Sequence, residues 1–333
     1  VTPHALIVAG PTASGKSALA LALAERIGGT VINADSMQVY RELRILTARP
    51  TPAEEAAVPH ALYGVRPARE PGSAAWWRGE AMAAMAAARA AGRVPLLCGG
   101  TGLYFSSLID GLSPIPPVSD AARQEARGLL KAIGPAALHA RLGAVDPATA
   151  SRTRPTDSQR VARAWEVWRS SGRGLAAWQA EPAAPASSVS LGVSLGMALG
   201  VARGTFRAVL LDPPREVLRE AIEGRFAAML AAGALAEVRA LLDLGLDPAL
   251  PAMRAHGVPE LAAYLRGEIS IEEAARRARL VTGQYAKRQA TWFRHHALAE
   301  AGAVHMIHAR FTGLAQFSER ERGQLLNFIE TPA

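Results

Sequence analysis

The sequence predicts an α/β fold, a parallel sheet flanked by helices and interrupted by an all-helical insertion, and three observations carry that prediction. Short apolar runs without polar alternation, Ala5 to Ala9, Thr30 to Asn33, Val94 to Cys98 and Phe206 to Leu211, have the composition of strands buried on both faces. Helical patterns separate them, as crossovers between parallel strands require. From about Asp120 to Ser171 the helical pattern continues with no strand inside it. An α/β core over residues 1–113 and 206–333, with a helical insertion and linker over 114–205, is therefore expected.

The first strand enters Gly10-Pro11-Thr12-Ala13-Ser14-Gly15-Lys16-Ser17, which opens a helical pattern from Ala18 to Arg26. In this strand–loop–helix order the glycines let successive backbone N–H groups and the helix N-terminus converge on one point, which makes a phosphate loop (P-loop). Lys16 adds a point charge for the outer phosphates, and the Ser17 hydroxyl suits a Mg²⁺ that bridges them. The chain has three lysines, Lys16, Lys131 and Lys287, so a lysine in this loop argues against a chance match. The pattern is an ATP-binding motif in many proteins, but it does not specify which phosphate compound binds.

The second strand, Thr30 to Asn33, ends at Asp35-Ser36-Met37-Gln38-Val39-Tyr40. An acid at the carboxyl end of a strand sits beside the phosphate loop, and Asp35 suits either a Mg²⁺-coordinating acid or a catalytic base. Leu43 to Pro50 reads as a loop, Pro52 to Val58 as a short helix and Ala61 to Val65 as another strand. Ser73 caps a helix from Ala74 to Arg89, with Trp76, Trp77, Met82 and Met85 as core contacts. Val94 to Cys98 leads into Gly99-Gly100-Thr101-Gly102-Leu103-Tyr104, where Thr101 is either a helix N-cap or a hydroxyl for a phosphate or leaving oxygen.

Ser113-Pro114-Ile115-Pro116-Pro117 makes a stiff exit into the helical insertion, where arginines, Arg123, Arg160 and Arg163 among them, alternate with Trp165, Trp168 and Trp178. Basic residues with aromatics suit RNA, although such arginines more often form solvated faces. A Pro-, Ala-, Ser- and Gly-rich stretch from Glu181 to Thr205 reads as a linker. After the strand Phe206 to Leu211, helices are expected over Pro214 to Leu230, Ala234 to Leu244, Val258 to Arg266 and Ser270 to His295. A strand from Val304 to His308 and a helix near Ser318 to Ile329 complete the pattern. His295-His296 has no third ligand nearby, which favours a solvated or RNA-facing pair over a metal site.

With 333 residues, 50% hydrophobic and 20% charged, the chain can bury a sizeable core. No membrane segment or signal peptide is evident, and one cysteine, Cys98, excludes an internal disulfide. A cytoplasmic protein is expected. The net charge of +8, carried almost wholly by arginine, fits nucleic acid as a partner but does not by itself require it.

Taken together, these stretches resemble the tRNA dimethylallyltransferase (tRNA isopentenyltransferase) family over nearly the full length. The resemblance rests on Gly10 to Ser17, Asp35-Ser36-x-Gln38-Val39-Tyr40, Thr47-Ala48-Arg49-Pro50, Pro59-His60, Ser73-Ala74-Ala75 and Gly99 to Tyr104. It continues through Asp157-x-Gln159-Arg160-x-x-Arg163-Ala164-x-Glu166-Val167, Trp178-Gln179, the helix with Arg215 and Arg225, and Lys287-Arg288-Gln289-x-Thr291-Trp292-Phe293-Arg294. It implies a P-loop NTPase-like core whose loop, Gly10, Pro11, Thr12, Ala13, Ser14, Gly15, Lys16 and Ser17, holds the diphosphate of dimethylallyl diphosphate together with Arg225. It also implies Mg²⁺ at Ser17, Asp35 as base for adenosine N6, and Thr101 at the leaving oxygen.

By the same resemblance Asp35, Ser36, Met37, Gln38, Arg123, Gln159, Arg160, Val161, Ala162 and Arg163 contact the anticodon stem-loop of tRNA, and the protein acts as a monomer. Two departures stand out: Leu46 occupies the place of the family's usual glycine, and Gly257-Val258 replaces Gly-Tyr. A P-loop small-molecule kinase or ATPase, and prenylation of free adenine nucleotides, are the alternatives. Neither needs the basic helical insertion.

Overall fold

A strand made wholly of apolar residues must be covered on both faces, and β1 (Ala5–Ala9) has all five residues buried. Ala5, Ile7 and Ala9 enter one hydrophobic core, Leu6 and Val8 a second on the opposite face. The computed structural model describes residues 5–181 and 203–330. The expected linker, including Val189 to Gly204, lies almost wholly outside them. The described residues of 1–110 and 201–333 cluster as one compact unit and those of 111–200 as another.

In the first unit β1 pairs with β4 (Val94–Gly99) and β5 (Phe206–Leu211). β2 (Gly29–Asn33) pairs with β4 and with β3 (His60–Ala61), and β5 with β6 (Val304–Ile307). Every ladder is parallel, and the order is β3-β2-β4-β1-β5-β6. Registers Ala9↔Gly99 and Asn33↔Cys98 level the carboxyl ends of three neighbouring strands, so the loops after β1, β2 and β4 emerge together. This is where α/β sheets bind ligands.

Helix α1 (Lys16–Ile27) covers one face, with Leu19 and Leu23 packed alongside Leu325 and Ile329 of the C-terminal helix (Glu319–Glu330). Helix α2 (Pro52–Ala57) starts with a capping box at Thr51 and Glu54. On the other face α3 (Ala74–Ala90) buries Trp77, whose ring stacks on Tyr104 of α4 (Gly102–Ile109) at 4.3 Å and whose Nε1–H donates to Asn33 O at 2.7 Å.

The second unit is helical: α5 (Asp120–Val145), α6 (Pro147–Ala150), α7 (Ser158–Ser171) and α8 (Leu175–Gln179). Gly134, at φ 75°, and Pro135 break α5 into two segments. Two expectations need correction here. Trp165 packs into the core with Leu138, Leu142 and Val161, which takes it away from RNA, while Trp168 and Trp178 are half-buried against this unit's cores with Arg169 and Arg173 over their rings. Val161 is fully buried, which removes its side chain from any RNA contact.

Back in the first unit, α9 (Arg215–Ala231), α10 (Ala234–Asp243), α11 (Val258–Leu265) and α12 (Ile271–His295) contribute to the core that holds Trp77, and α13 is the C-terminal helix already described. The expected strand from Ala61 to Val65 is cut to two residues because Leu62 and Gly64 take left-handed φ values of 66° and 60° and turn the chain. The 43–50 loop is held by side chains. Glu237 of α10 accepts the backbone N–H groups of Arg44, Ile45 and Leu46 at 2.7, 2.7 and 2.9 Å, and Gln38 Nε2–H donates to Thr47 O and Ala48 O at 2.9 Å.

This fixes Leu46 against Gly257, where an added Cβ would stand 2.9 Å from Leu46 Cδ2, and Val258 is buried in the same core. The two departures from the family pattern thus sit in one packed cluster. Among the described residues no helix is long and apolar enough to cross a membrane.

Loss of the Glu237 carboxylate leaves three loop N–H groups without their acceptor. Glu237→Ala is expected to lower stability by about 2–3 kcal/mol in urea unfolding, since hydrogen bonds to charged groups are worth about that much. Glu237→Gln should recover part of the loss through its remaining carbonyl. A change below about 0.5 kcal/mol for Glu237→Ala, the range of an ordinary surface substitution, would show that the loop is held by other contacts.

Candidate active site

The phosphate loop closes on Gly15, at φ 87°, where a Cβ would overlap the carbonyl of Phe311, so only glycine fits. As N-cap of α1 it offers no side chain to the first helical turn, whose residues Lys16, Ser17 and Ala18 line a cavity of about 670 Å³. An anion in that cavity would cap the free N–H groups. The loop is braced from behind: Arg310 Nε–H donates to Ala13 O at 3.1 Å, and Phe311 N–H to Ser14 O at 2.9 Å.

Lys16 is buried, with Nζ 3.4 Å from Pro11 O. Burial pulls its pKa below the ordinary 10.5; the Asp35 carboxylate opposes that shift and the Arg225 charge adds to it. Arg225, on α9, donates from Nη2 to Thr12 Oγ1 at 2.8 Å, and burial lowers its pKa while Asp35 again opposes. A buried lysine and a half-buried arginine thus both feel the Asp35 carboxylate across the cavity.

Asp35 follows β2 and is set by Asn33, which is fully buried. Asn33 Oδ1 accepts the Asp35 N–H at 2.8 Å, and Asn33 Nδ2–H donates to Asp35 O at 3.0 Å and Leu62 O at 3.1 Å. One Asp35 carboxylate oxygen accepts Met37 N–H at 2.9 Å, and Asp35 lines the cavity beside Lys16 and Arg225.

Thr101 occupies the N-cap position of α4, but its side chain makes no cap hydrogen bond. Its Oγ1 instead accepts Ser36 N–H at 2.9 Å. The phenol of Tyr285, on α12, is within hydrogen-bonding reach of Thr101 and Gln289, and burial followed by the nearby Asp35 charge pushes it up to about 12. Beyond Asp35 lies a recess of about 60 Å³, lined in part by Met37, Leu46, Phe226, Met229 and Tyr285.

Thr12, Ala13, Gly15, Lys16, Ser17, Asp35, Gln38 and Arg225 thus line a single cavity, with Ser36 and Thr101 joined beside it. Gly10, Pro11 and Ser14 are buried and form the back of the loop. Gln38 reaches the cavity, although its amide N–H groups are spent on the 43–50 loop. In the helical unit Arg123, Gln159, Arg160 and Arg163 are exposed and Ala162 is half-buried. The three arginines pair one helical turn away with Asp120, Asp157 and Glu166 at 3.0, 3.5 and 3.4 Å.

Three supports escape a reading of the sequence: Asn33, Glu237 and Gln289. Gln289 alone had a visible signal, as a member of the Lys287 to Arg294 stretch that carries the resemblance, and it lies on the buried stripe of α12 with Ala278, Thr282, Ala286 and Phe293. The larger groove of the unit, about 840 Å³, lies on the other side of α9 and carries Arg215, Arg219, Arg279 and Lys287.

No group of three or more His, Cys, Asp or Glu residues among the described residues could hold a metal ion. The donors at the cavity suit Mg²⁺ in another way, because Mg²⁺ is commonly held by one protein oxygen together with substrate phosphates. Ser17 presents that oxygen next to the helix N-terminus, within hydrogen-bonding reach of the Cys98 thiol and with Asp35 on the same cavity wall.

A buried lysine with lowered pKa makes a two-sided prediction. Folding strips its proton more easily, so in the window between the lowered pKa and 10.5 the unfolded chain binds more protons and stability rises with pH. Diphosphate needs the charged form, so its affinity should fall with rising pH before 10.5 is reached. Calorimetric titration of inorganic diphosphate against pH checks this. Lys16→Met should weaken binding about 10- to 100-fold, the loss of one charge-assisted hydrogen bond, and flatten that slope.

The chain matches the family model described as IPP transferase over residues 38–296 and that described as isopentenyl transferase over residues 3–60. It is 58% identical to a tRNA dimethylallyltransferase of Granulibacter bethesdensis over 326 residues, 98% of each chain. It is 59% identical to a tRNA dimethylallyltransferase of Gluconobacter oxydans, over 98% of this chain and 93% of the relative. Among solved structures, the full-length tRNA isopentenylpyrophosphate transferase of Bacillus halodurans superposes with a TM-score of 0.65 at 29% identity, covering 98% of this chain and 97% of that one.

Proposed function

The chain belongs to the IPP transferase family, and on that footing we propose that it transfers a dimethylallyl group from dimethylallyl diphosphate to N6 of the adenosine 3′-adjacent to the anticodon in tRNA. The products are N6-dimethylallyladenosine and diphosphate. The single observation that carries the reading is the cavity in which Lys16, Arg225 and the uncapped N-terminus of α1 face Asp35. One side suits a diphosphate, the other a proton acceptor.

In this reading the exocyclic N6 attacks C1 of the prenyl group as the C1–O bond breaks, the electron pair leaves on the diphosphate oxygen, and the N6 proton passes to the Asp35 carboxylate. Lys16, Arg225 and the loop N–H groups meet the charge that develops on the departing oxygen. They need little reorganisation, because Arg310, Thr12 and Phe311 already hold them. The Thr101 hydroxyl accepts Ser36 N–H at 2.9 Å and donates to Ser36 Oγ at 3.4 Å, a long bond that it would exchange for one to the leaving oxygen. A Mg²⁺ held by Ser17 and the diphosphate would supply further charge neutralisation.

The acceptor base must leave the stacked anticodon loop to reach Asp35, and Ser36 and Met37 adjoin its entry. The arginines of the helical unit, Arg123, Arg160 and Arg163, contact RNA phosphates, since surface ion pairs of this type are worth about 0–1 kcal/mol and give way to phosphate at small cost. The protein works in the cytoplasm, where unmodified tRNA is available.

Purified protein with dimethylallyl diphosphate, Mg²⁺ and unmodified tRNA should yield adenosine heavier by one prenyl group, detected by mass after digestion. Steady hydrolysis of ATP that dimethylallyl diphosphate does not affect would instead favour the ATPase reading. Asp35→Asn keeps the shape but removes the base, so turnover should fall by roughly 10²-fold or more with tRNA binding retained. Recovery of that variant by excess Mg²⁺ would assign Asp35 to the metal. Arg160→Ala and Arg163→Ala should weaken tRNA binding and flatten its dependence on log salt while leaving diphosphate affinity intact. Unchanged tRNA affinity in both would remove this helix from the RNA site.

A further inference from the structure

Strands β1 and β4 are neighbours whose ladder ends at Ala9↔Gly99, just where their loops diverge into the two halves of the site. Beyond that rung a side chain takes over. Gln289, 4% exposed on the buried stripe of α12, accepts Thr12 N–H on Oε1 at 2.8 Å and donates from Nε2 to Gly100 O at 2.8 Å. A primary amide carries the same donor and acceptor as a peptide group, so it can bridge two chains as another rung would. The fit is close: a Cβ at Gly100 would overlap Gln289 Nε2 and stand 3.1 Å from Gly10 O.

We propose that Gln289 is a positioning residue that sets the distance between the leaving-group half and the acceptor half of the active site. The inference rests on the prenyl-transfer reading given above. On one side of the amide, Thr12 relays the constraint to Arg225, which donates to the Thr12 hydroxyl. On the other side, Gly100 leads directly into Thr101, whose Oγ1 holds Ser36 N–H and therefore the turn that carries Asp35. A shift of Gly100 relative to Thr12 moves the proton acceptor relative to the diphosphate site. Transfer between two held reactants is sensitive to such shifts, and a displacement of about 1 Å can cost roughly 10²-fold in rate. Affinity for either substrate alone is much less sensitive, because each is gripped by its own half.

The test uses the full chain in single-turnover transfer from dimethylallyl diphosphate to saturating tRNA, with inorganic diphosphate and tRNA binding measured separately. Gln289→Met keeps the length of the side chain without its hydrogen bonds. It should lower the transfer rate roughly 10- to 100-fold, the penalty expected of misplaced reactants, while both affinities stay within about 3-fold. Gly100→Ala should lower the melting temperature by forcing the amide out. Gly100→Ala combined with Gln289→Ala removes the overlap with the amide but leaves Gly10 O at 3.1 Å, so melting temperature should recover in part, relative to Gly100→Ala alone, while the transfer rate stays low. A purely structural role predicts that the two recover together. Transfer by Gln289→Met within about 3-fold of the parent, too small a change for a positioning role, overturns the inference, as does recovery of rate with stability in the double variant. A parent protein that forms no prenylated adenosine overturns the transferase reading and this inference with it.

Discussion

A buried lysine and a half-buried arginine, both within the field of the Asp35 carboxylate, set the terms for the rest of this active site. Lys16 is buried and Arg225 half-buried, and the Asp35 charge opposes the loss of their protons. Burying positive charge without a full set of counter-charges destabilises a fold, and the uncapped N-terminus of α1 adds further positive potential at the same place. An anion relieves all three at once. The site is therefore arranged for an anionic ligand, and the loop that carries its donors is braced by Arg310 and Phe311.

The loops that carry these groups are held by side chains that stand in for backbone. Where the chain leaves the sheet, its N–H and C=O groups lose their ladder partners and need others. Asn33 supplies them to the Asp35 turn, Gln38 and Glu237 to the 43–50 loop, and Gln289 to the phosphate loop and Gly100. Three of the four are amides, which give and accept in one group. Such a network keeps catalytic side chains on loops while denying those loops the mobility that loops otherwise have.

In the helical unit the charged surface and the aromatic interior have separate duties. Arg123, Arg160 and Arg163 each lie next to an acid one turn away, an arrangement that orients a guanidinium without binding it strongly. Trp165 and Val161, which sit among them in sequence, turn inward and close the helix packing, and Trp168 and Trp178 lie half-buried at its edge. The 3.6-residue helical repeat turns Val161 and Trp165 inward from Arg160 and Arg163, while Arg169 and Arg173 stay over the rings of Trp168 and Trp178.

The sequence by itself determined the sheet, the flanking helices, the strand–loop–helix that makes the phosphate loop, and the family, because each follows from local periodicity or from a short ordered motif. Residue pattern alone marked Lys16, Asp35 and Thr101 but left Asp35 open between metal ligand and base and Thr101 open between helix cap and hydroxyl donor; the family resemblance favoured the second role for each and added Arg225. The turn of Thr101 Oγ1 toward Ser36, the shortening of the third strand at Leu62, and the buried places of Asn33, Glu237 and Gln289 were decided only in the tertiary structure. Gln289 and Thr12 are 277 residues apart, and Glu237 is 192 residues from Ile45 in the loop that it holds. No local pattern encodes a hydrogen bond between groups so distant in sequence; it exists because parallel strands bring their loops to one end of the sheet, where the helices that cross that end must satisfy whatever the strands leave unpaired.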